Sequence, residues 1–452
     1  MLQKTSATGT RNTLFNYIAG KNRLGFRDII EELQPYDIAE AYQKTPGNLR
    51  NEFLSFLDLK ETAVLIQELE TSVQLDILNR LGTEVSSRVM DLMENDDLAD
   101  LLNELSHNKS QEFLAFMRQE ESQNVKNLMK YPPETAGGIM TNRYVWIRNT
   151  YTVRKAVDKL KDFAEIAENI YYLYVLNEDN RLTGVVSYRD LLLADLEDNI
   201  NNIMFSRIIS VTVDTDQEEV ARLFEKYDFV ALPVIDVHGR LLGIVTVDDV
   251  VDVLIQEANE DIGKLSASDK AIDFNTRAVT ASFLRLPWLI MLLFIGLISG
   301  TIISNFQDAL QKAVSLAFFM PMIAGMTGNT GTQSLAVVVR GLAADDIDRR
   351  AVFRLVTREL GVGVTIGSIC GLLIAVLAYI WQRNLFLGFV VGSSLFLTLI
   401  IGTLAGTVIP LLLYYFKIDP AIASGPLITT LNDIFSLSIY FGTASAFILY
   451  LQ

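Results

Sequence analysis

The sequence contains carboxylates whose spacing suits the binding of a cation. Asp96 and Asp100 are four residues apart in NDDLADLLNELS, so they share one face of a helix. For this pair alone, a solvated helix face is the simpler interpretation. A denser group, spaced along one side of a predicted helix, comprises Asp249, Asp252, Glu257, Glu260 and Asp261. Like charges at such spacings destabilise a helix by about 0.2–0.5 kcal/mol per pair. A bound divalent cation or a basic partner would offset this cost, so the second group favours cation sensing over a merely solvated face.

One further carboxylate, Asp433, lies far from either end of an apolar run, in PLITTLNDIFSLSIYF. A charged carboxylate at the centre of a bilayer costs at least about 2.5–3.5 kcal/mol on insertion scales, so it should face a cavity or a partner. The other apolar runs carry no lysine or arginine at matching depth. A cation in a water-filled path is the favoured counter-charge, and a protonated Asp433 hydrogen-bonded between helices is the alternative.

The stretch MPMIAGMTGNTGTQSLAVVVRG (320–341) is polar in the middle of another apolar run. Pro321 and three glycines predict a weak helix, whose freed carbonyls are tolerated only in a cavity or inside protein. Asn329 and Gln333 are four apart and share a face, and three threonines add further oxygens. Small-residue helix packing with amides as interhelical glue is the alternative. Asp433 favours a water-lined wall opposite a carboxylate.

An internal repeat precedes the apolar half. Residues 171–192 align with residues 229–251, and Gly184 matches Gly243 at an offset of 59. Each copy reads as strand, turn, strand and helix start, ending in GVVSYRD or GIVTVDD. These Gly-x-x-Ser/Thr-x-x-Asp signatures resemble a tandem pair of CBS domains. A hydroxyl at a helix N-terminus can bind a phosphate beside free backbone N–H groups, and the Asp can accept from a ribose hydroxyl. The alternative is that each hydroxyl only caps its helix.

Composition narrows the class of protein. The chain has 452 residues and a net charge of −16. The residues before Ser282 carry a net charge of −18, and those from Ser282 onward carry +2. This acidic part argues against a nucleic-acid partner and is compatible with cation binding. With one cysteine, Cys370, and two histidines, His107 and His238, neither a disulfide framework nor a zinc site is expected. The chain is not expected to be an enzyme, because no nucleophile–base pair or metal triad stands out.

The membrane part is predicted from Ser282 onward. Five apolar runs are long enough to cross a bilayer, at roughly 286–306, 313–339, 360–381, 386–416 and 420–450. Five arginines lie between the second and third runs and place that loop in the cytoplasm, namely Arg340, Arg349, Arg350, Arg354 and Arg358. The N-terminus lacks a signal-peptide h-region, so the soluble part should be cytoplasmic and the C-terminus outside. An odd number of spans favours a homodimer over a pore from one chain.

In order and motifs, nearly the whole chain resembles the MgtE magnesium transporters and channels. The resemblance rests on the helical N-terminal segment, the YPPETAGGIMT junction, the CBS pair, the acidic linker, the Pro321–Gln333 stretch and the last span with Asp433. It implies a multidomain fold: an all-α N-terminal domain (1–132), two α/β CBS domains (133–202 and 203–261), a connecting plug helix (262–281) and a five-helix pore domain (282–452). It further implies a homodimer in the plasma (inner) membrane, surrounded by lipid.

The resemblance also implies which residues act. The expected pore and ion-binding residues are Asp433, Asn329, Gly328, Thr429 and Gln333. The expected regulatory Mg²⁺ ligands, which would draw acidic faces together and close the pore, are Asp96, Asp100, Asp216, Glu218, Asp228, Asp249, Asp252, Glu257, Glu260 and Asp261. An adenine nucleotide such as ATP would contact Tyr172, Arg189, Asp190, Phe229, Thr246 and Asp249.

Several residues depart from the family pattern. Thr327 and Thr332 replace a glycine and an asparagine, Asn432 is an extra polar residue before Asp433, and Ile255 and Gln256 stand where relatives are often acidic. These departures leave open the preference for Mg²⁺ over Mn²⁺ or Co²⁺ and the Mg²⁺ threshold of gating. The rival functions are a CBS-regulated channel for another ion and a membrane nucleotide sensor that transports nothing.

Overall fold

The computed structural model describes residues 7–163, 167, 169–268, 272, 276–344 and 349–451. These residues form two compact units, Met1–Leu254 and Ile255–Gln452. The first unit begins with ten short helices: α1 (Ala7–Ala19), α2 (Arg23–Ile30), α3 (Pro35–Gln43), α4 (Arg50–Phe56), α5 (Leu59–Gln67), α6 (Thr71–Leu81), α7 (Thr83–Met90), α8 (Asn95–Asn103), α9 (His107–Phe116) and α10 (Gln119–Leu128).

Local sequence signals explain why these helices stay short. Asp58 and Glu61 form a capping box that starts α5, with each carboxylate accepting from the other residue's backbone N–H. Pro35 begins α3, where its missing N–H costs nothing. Gly82, at φ 75°, separates α6 from α7 in a conformation that only glycine adopts freely. The predicted all-helical N-terminal segment is therefore confirmed.

The repeat folds as two matching three-stranded sheets. Their elements are β1 (Tyr144–Arg148), α11 (Val153–Phe163), β2 (Asn169–Leu176), β3 (Leu182–Ser187), α12 (Tyr188–Leu193), α13 (Ile200–Ile203), β4 (Val211–Thr212), α14 (Gln217–Tyr227), β5 (Ala231–Ile235), β6 (Leu241–Thr246) and α15 (Val247–Leu265). In each sheet the first two strands are parallel and the last two antiparallel. Gly184 pairs with Val175, and Gly243 pairs with Val234, so the offset of 59 is kept in the strand register.

The second sheet shares a hydrophobic core with the N-terminal helices. That core extends from Leu14 in α1 through Leu98 in α8 to Val245 in β6 and Val253 in α15. The first sheet has a separate core around Val145, Leu173 and Val186. The second copy of the repeat is therefore the one that fixes the N-terminal helices in place.

The second unit is helical. Apart from the last turns of α15, its elements are α16 (Ala278–Asn305), α17 (Gln307–Lys312), α18 (Leu316–Ala344), α19 (Arg349–Gln382), α20 (Leu385–Tyr415), a 3₁₀ turn (Pro420–Ile422), α21 (Gly425–Ala446) and α22 (Ile448–Leu451). Among the residues described, α16, α19 and α20 are long and apolar enough to cross a membrane by length and composition. The two remaining long helices, α18 and α21, are the ones that carry Asn329 and Asp433.

Two expectations about these helices need correction. The polar stretch does not weaken its helix visibly, because α18 runs unbroken through Pro321 and all three glycines. The connecting helix predicted at 262–281 is instead the end of α15, which closes at Leu265, and α16 already begins at Ala278. Residues 269–271 and 273–275 of that segment lie outside the described residues.

Candidate ion path and regulatory carboxylates

The polar side chains of α18 fall on two different faces. Asn329 and Gln333 are exposed. Gly328 is buried, and a Cβ at that position would lie 3.2 Å from Thr429 Cγ2, so α18 and α21 touch there. Within one chain, the glycine therefore serves helix packing, while the two amides face away from the other helices.

The three threonines of the polar stretch do not offer free hydroxyls. Thr327 donates to the Ile323 carbonyl at 2.8 Å, and Thr330 donates to Met326 at 2.9 Å, while both side chains are buried. Thr332 donates to the Asn329 carbonyl at 2.9 Å. Each hydroxyl proton is directed to its own helix, which leaves the oxygen lone pairs as the groups that could face a wall; of the three residues, only Thr332 is not buried within one chain.

Asp433 lies in the middle of α21 and is half-buried. Its neighbour one turn earlier, Thr429, is also half-buried and donates to the Pro426 carbonyl at 2.9 Å. Residues 429 and 433 are four apart, so the carboxylate and the threonine share a face of the helix. Within one chain, Gly328 and Thr429 are therefore in contact. The side chains of Asn329 and Gln333 are exposed and that of Asp433 is half-buried, so they remain accessible to an ion, water or a second chain.

In the first unit, the carboxylates that influence one another belong to α8 and to the first turns of α15. Desolvation raises the pKa of Asp97, and the charges of Asp252 and Asp248 raise it further. Desolvation also raises the pKa of Asp249 to about 7, to which Asp248 and Asp97 add, although a hydrogen bond from Thr246 opposes the shift. Burial is the largest cause of both shifts, and the neighbouring carboxylates act in the same direction, so negative charge is concentrated here.

The same part of α8 contains the sequence-predicted pair. Asp96 is buried at 6% exposure, whereas Asp100 is exposed, so the two do not present their carboxylates equally. Desolvation, together with Asp97 and Glu104, raises the pKa of Asp100 to about 6. In the described part of the chain, no three carboxylate, histidine or cysteine side chains are placed to hold one metal ion together.

Three of the predicted regulatory residues make contacts that start, stabilise or end α14. Asp216 caps the helix and accepts from the Glu218 N–H at 2.8 Å. Glu218 pairs with Arg222 at 3.2 Å. Asp228 ends the helix in the left-handed conformation, at φ 53°. These contacts explain the residue types without a metal ion, and any role in sensing would be additional.

The remaining regulatory acids lie in the last turns of α15, in the second unit. Lys264 Nζ is 2.5 Å from Glu260 Oε1 and 2.6 Å from Asp419 Oδ2. Burial opposes the charge on Lys264, but its hydrogen bonds to Asp419 and Glu260 raise its pKa. Desolvation raises the pKa of Asp261, and Asp419 adds to the effect. Glu257 adds a further repulsion to Asp261. An internal cation thus already neutralises part of this group.

The candidate nucleotide residues lie in two groups, one in each copy of the repeat. In the first copy, Ser187 Oγ donates to Asp190 at 2.6 Å and caps α12 by accepting from the Asp190 N–H at 3.1 Å. Arg189 is exposed beside them, and Tyr172 pairs with Ser187 in the sheet. The capping role is therefore confirmed for Ser187.

In the second copy, Thr246 Oγ1 donates to Asp249 at 2.5 Å, and Thr246 is only 1% exposed. Phe229 is half-buried and stacks on Tyr227, with 5.4 Å between the ring centroids. Asp249 is thus a candidate both for nucleotide binding, through its bond with Thr246, and for cation binding, because the charges of Asp248 and Asp97 raise its pKa.

Comparison with known proteins decides the family. The divalent cation transporter family matches residues 320–443, the MgtE intracellular N domain matches residues 33–134, and the CBS domain matches residues 136–197 and 200–256. A magnesium transporter MgtE from Bacillus subtilis is 56% identical over 423 residues, which are 94% of each chain. This chain belongs to the MgtE family. Members of this family are transporters rather than enzymes.

Other members of the MgtE family are similar over most of their length. The magnesium transporter MgtE of Thermus thermophilus is 37% identical over 426 residues, covering 92% of this chain and 94% of that one. That of Enterococcus faecalis is 45% identical over 73% of each chain. The soluble part of a magnesium transporter matches with a TM-score of 0.53 and 36% identity, covering 56% of this chain and all of the other. The cytosolic domain of the Mg²⁺ channel MgtE in complex with ATP matches with a TM-score of 0.52 and 36% identity, covering 54% and 99%.

Sequence reasoning missed residues of both acidic groups. Asp97 and Asp248 were passed over, although each adjoins a predicted carboxylate in the runs NDD and VDD. Lys264 was also missed, since its partner Asp419 is 155 positions away and no local spacing indicates the pair. Glu359, 5% exposed in α19, accepts from Ser334 Oγ at 3.0 Å and from Arg358 at 2.8 Å. It anchors α18 beside the polar stretch.

The raised pKa of Asp249 predicts that the Mg²⁺-free protein loses stability as the pH rises. The pKa is 3.8 for an ordinary Asp and about 7 for Asp249 in the folded protein, so the folded state binds more protons between these values. The free energy of unfolding therefore falls from about pH 4 to about pH 7, and it falls less steeply in Asp249→Asn. Thermal unfolding of the full-length protein in detergent with a chelator measures this slope. The pKa of Asp236 is lowered by backbone N–H groups, so Asp236→Asn is the control. Equal slopes for Asp249→Asn and wild type contradict the prediction.

Proposed function

We propose that this chain transports Mg²⁺ across the membrane through a pore that contains Asp433. The observation that carries the proposal is the placement of Asp433 on α21, in contact with α18 through Gly328 and Thr429. The identity of 56% to a magnesium transporter over 94% of the chain supports the same ion. The two helices with the polar centres are the pore helices, and their polarity is what separates them from α16, α19 and α20.

The chemistry of the pore suits a hydrated ion. Mg²⁺ requires octahedral oxygen, loses water reluctantly and is usually held by one or two carboxylates and several retained waters. Asp433 supplies one carboxylate per subunit, while Asn329 and Gln333 supply amides that can contact those waters. Ca²⁺ would favour more protein oxygens than this.

The pore is completed by a second copy of the chain. Exposed residues recur every three or four positions along α18, namely Phe318, Pro321, Gly325, Asn329, Gln333 and Val337. Amides on such a face are costly against lipid, so they belong in a cavity or an interface. A homodimer with five spans per subunit, α16 and α18–α21, brings two such faces together. The N-terminal and CBS domains are cytoplasmic and the C-terminus lies outside.

Removal of the pore carboxylate should abolish transport. We expect Asp433→Ala to lower Mg²⁺ flux at least about tenfold, since even 1.4 kcal/mol of lost binding corresponds to a factor of ten. The measurement is Mg²⁺ uptake into liposomes that contain the purified protein, with Mn²⁺ and Co²⁺ tested alongside. Asp308→Ala removes an exposed carboxylate of α17 and serves as the control. Normal flux in Asp433→Ala, or none in wild type, would refute the assignment.

Cytoplasmic Mg²⁺ closes this pore by binding to the acidic groups. Without cation, these carboxylates repel one another: besides burial, the charges of Asp252 and Asp248 raise the pKa of Asp97, and those of Asp248 and Asp97 raise that of Asp249. Bound Mg²⁺ removes the repulsion and stabilises the closed arrangement. In the last turns of α15, Lys264 already supplies one positive charge, so Asp249 and Asp252 should dominate the response to Mg²⁺.

Neutralising the acids of α15 should leave the transporter open. In the variant Asp249→Asn, Asp252→Asn, Glu257→Gln and Glu260→Gln, we expect flux to persist at cytoplasmic Mg²⁺ concentrations that inhibit wild type. The matched control neutralises four exposed acids elsewhere in the two copies, Glu178, Asp179, Glu197 and Glu225. Inhibition at the wild-type Mg²⁺ concentration in the α15 variant would exclude this gate.

The CBS pair binds ATP or another adenine nucleotide. The similarity to the cytosolic domain of an MgtE channel in complex with ATP supports this ligand. The residues that would contact it are Tyr172, Arg189, Asp190, Phe229 and Thr246 with Asp249. Binding would break the internal bond between Thr246 and Asp249, so it would be coupled to cation binding at Asp249.

Calorimetry of the purified protein with ATP tests this site. We expect binding in wild type and an affinity at least about tenfold lower in Thr246→Ala, a loss of about 1.4 kcal/mol, within the range for hydrogen bonds to charged groups. Ser187→Ala reports on the first copy in the same way. Absence of heat in wild type, or unchanged affinity in both variants, would rule out the nucleotide site.

A further inference from the structure

Asn432 is a polar side chain in the tightest part of the second unit. It lies on α21 directly before Asp433 and is fully buried. Its Nδ2 donates to the Thr327 carbonyl of α18 at 3.3 Å. Two of the residues in which this chain departs from the family pattern are therefore hydrogen-bonded to each other.

A glycine on α18 makes room for this amide, and a glycine on α20 lies beside it. A Cβ at Gly331 of α18 would overlap Asn432 Nδ2, and a Cβ at Gly402 of α20 would lie 3.6 Å from the same atom. The same Cβ at Gly402 would lie 2.9 Å from the Thr327 carbonyl oxygen. The amide thus occupies a slot where α18, α20 and α21 meet; the slot requires that position 331 have no side chain, while Gly402 allows α20 to approach Thr327.

The slot is a poor place for an amide unless the amide has a task. The Oδ1 atom of Asn432 is buried and has no hydrogen-bond partner among the described residues. A buried acceptor without a partner is destabilising, and a small apolar residue would avoid that cost. The bond from Nδ2 to the α18 backbone is what the asparagine provides in exchange.

We propose that Asn432 is a positioning residue for the ion path: it ties α21 to α18 and thereby fixes the place of the Asp433 carboxylate. This inference rests on the proposed function, since it assigns a role relative to Asp433. The anchor lies one residue from the carboxylate, so it restricts both the rotation of α21 about its axis and its distance from α18. Asn432 itself touches no ion.

The anchor should determine ion preference as well as rate. Mg²⁺ requires near-ideal octahedral geometry, so its hydration shell fits only a carboxylate held at a defined position. Once the carboxylate can move, an ion with strict geometric requirements loses more binding free energy than an ion with looser requirements. Loss of the anchor should therefore reduce Mg²⁺ transport more than Mn²⁺ transport.

The test is liposome flux of Mg²⁺ and Mn²⁺ for Asn432→Ala, with the half-saturating concentration and maximal rate determined separately. We expect the half-saturating Mg²⁺ concentration to rise at least about fivefold and the Mg²⁺-to-Mn²⁺ ratio to fall at least about threefold. A merely structural role would lower the maximal rate through loss of folded protein and leave both quantities unchanged. Unchanged half-saturation and ion ratio in Asn432→Ala would overturn the proposal.

A second pair of variants tests the slot itself. Gly331→Ala should be defective because its methyl group displaces the amide, whereas Gly331→Ala with Asn432→Ala removes that conflict. A Cβ at position 331 keeps close contacts in the double variant, at 3.0 Å to Ile428 Cγ2 and 3.2 Å to the Gly402 carbonyl oxygen. We therefore expect the double variant to be less defective than the product of the two single defects, because the overlap with the amide is gone. Defects that multiply would overturn the shared slot.

Two controls separate this proposal from the proposed function. Ser394→Ala removes a fully buried hydroxyl of α20 that, like Asn432 Oδ1, has no partner among the described residues, and it should leave half-saturation and ion ratio unchanged. Asp433→Ala measures the pore assignment. Loss of flux in Asp433→Ala with normal behaviour of Asn432→Ala refutes the positioning role alone, whereas normal flux in Asp433→Ala refutes the pore assignment.

Discussion

Negative charge that the protein does not itself neutralise is the constraint on which the rest depends. In α8 and the start of α15, burial raises the pKa of both Asp97 and Asp249; the charge of Asp97 adds to the shift of Asp249, and the charges of Asp252 and Asp248 add to that of Asp97. In α21, Asp433 occupies a helix that must lie among apolar neighbours. At both places a mobile cation could supply the positive charge that the protein lacks. Under the proposed function, regulation and transport would use one chemistry, in which carboxylates hold a hydrated ion.

Weak binding of this kind needs a rigid frame. The core shared by the N-terminal helices and the second sheet holds the α8 carboxylates in place. In the second unit, backbone meets backbone, since a Cβ at Gly406 would overlap the Gly331 carbonyl and one at Gly371 would lie 2.7 Å from the Gly392 carbonyl. Helices this close have little freedom to shift individually. Any movement that opens or closes the pore should therefore involve several helices together.

Sequence alone gave the order of domains, the repeat at an offset of 59 and the roles of Asp433 and α15 as expectations. Local signals sufficed for these, because periodicity and turn residues act over a few positions. Tertiary pairing was out of reach: Lys264 with Asp419, Ser334 with Glu359, and Asn432 with Thr327 are separated by many positions. The burial of Thr327 and Thr330 was out of reach for the same reason, since it depends on which helices pack against α18.

The two copies of the repeat share strand register but not the helix that follows. After its Ser187 motif the first copy has α12, which ends within six residues, whereas after Thr246 the second copy has α15, which continues for nineteen. At 1.5 Å per residue, α15 is a rod of about 28 Å. A duplicated domain could provide two equivalent binding domains. Among the described residues, only the second copy is followed by a long helix, so if the two copies sense a cation as proposed, only the second could transmit the change along such a helix.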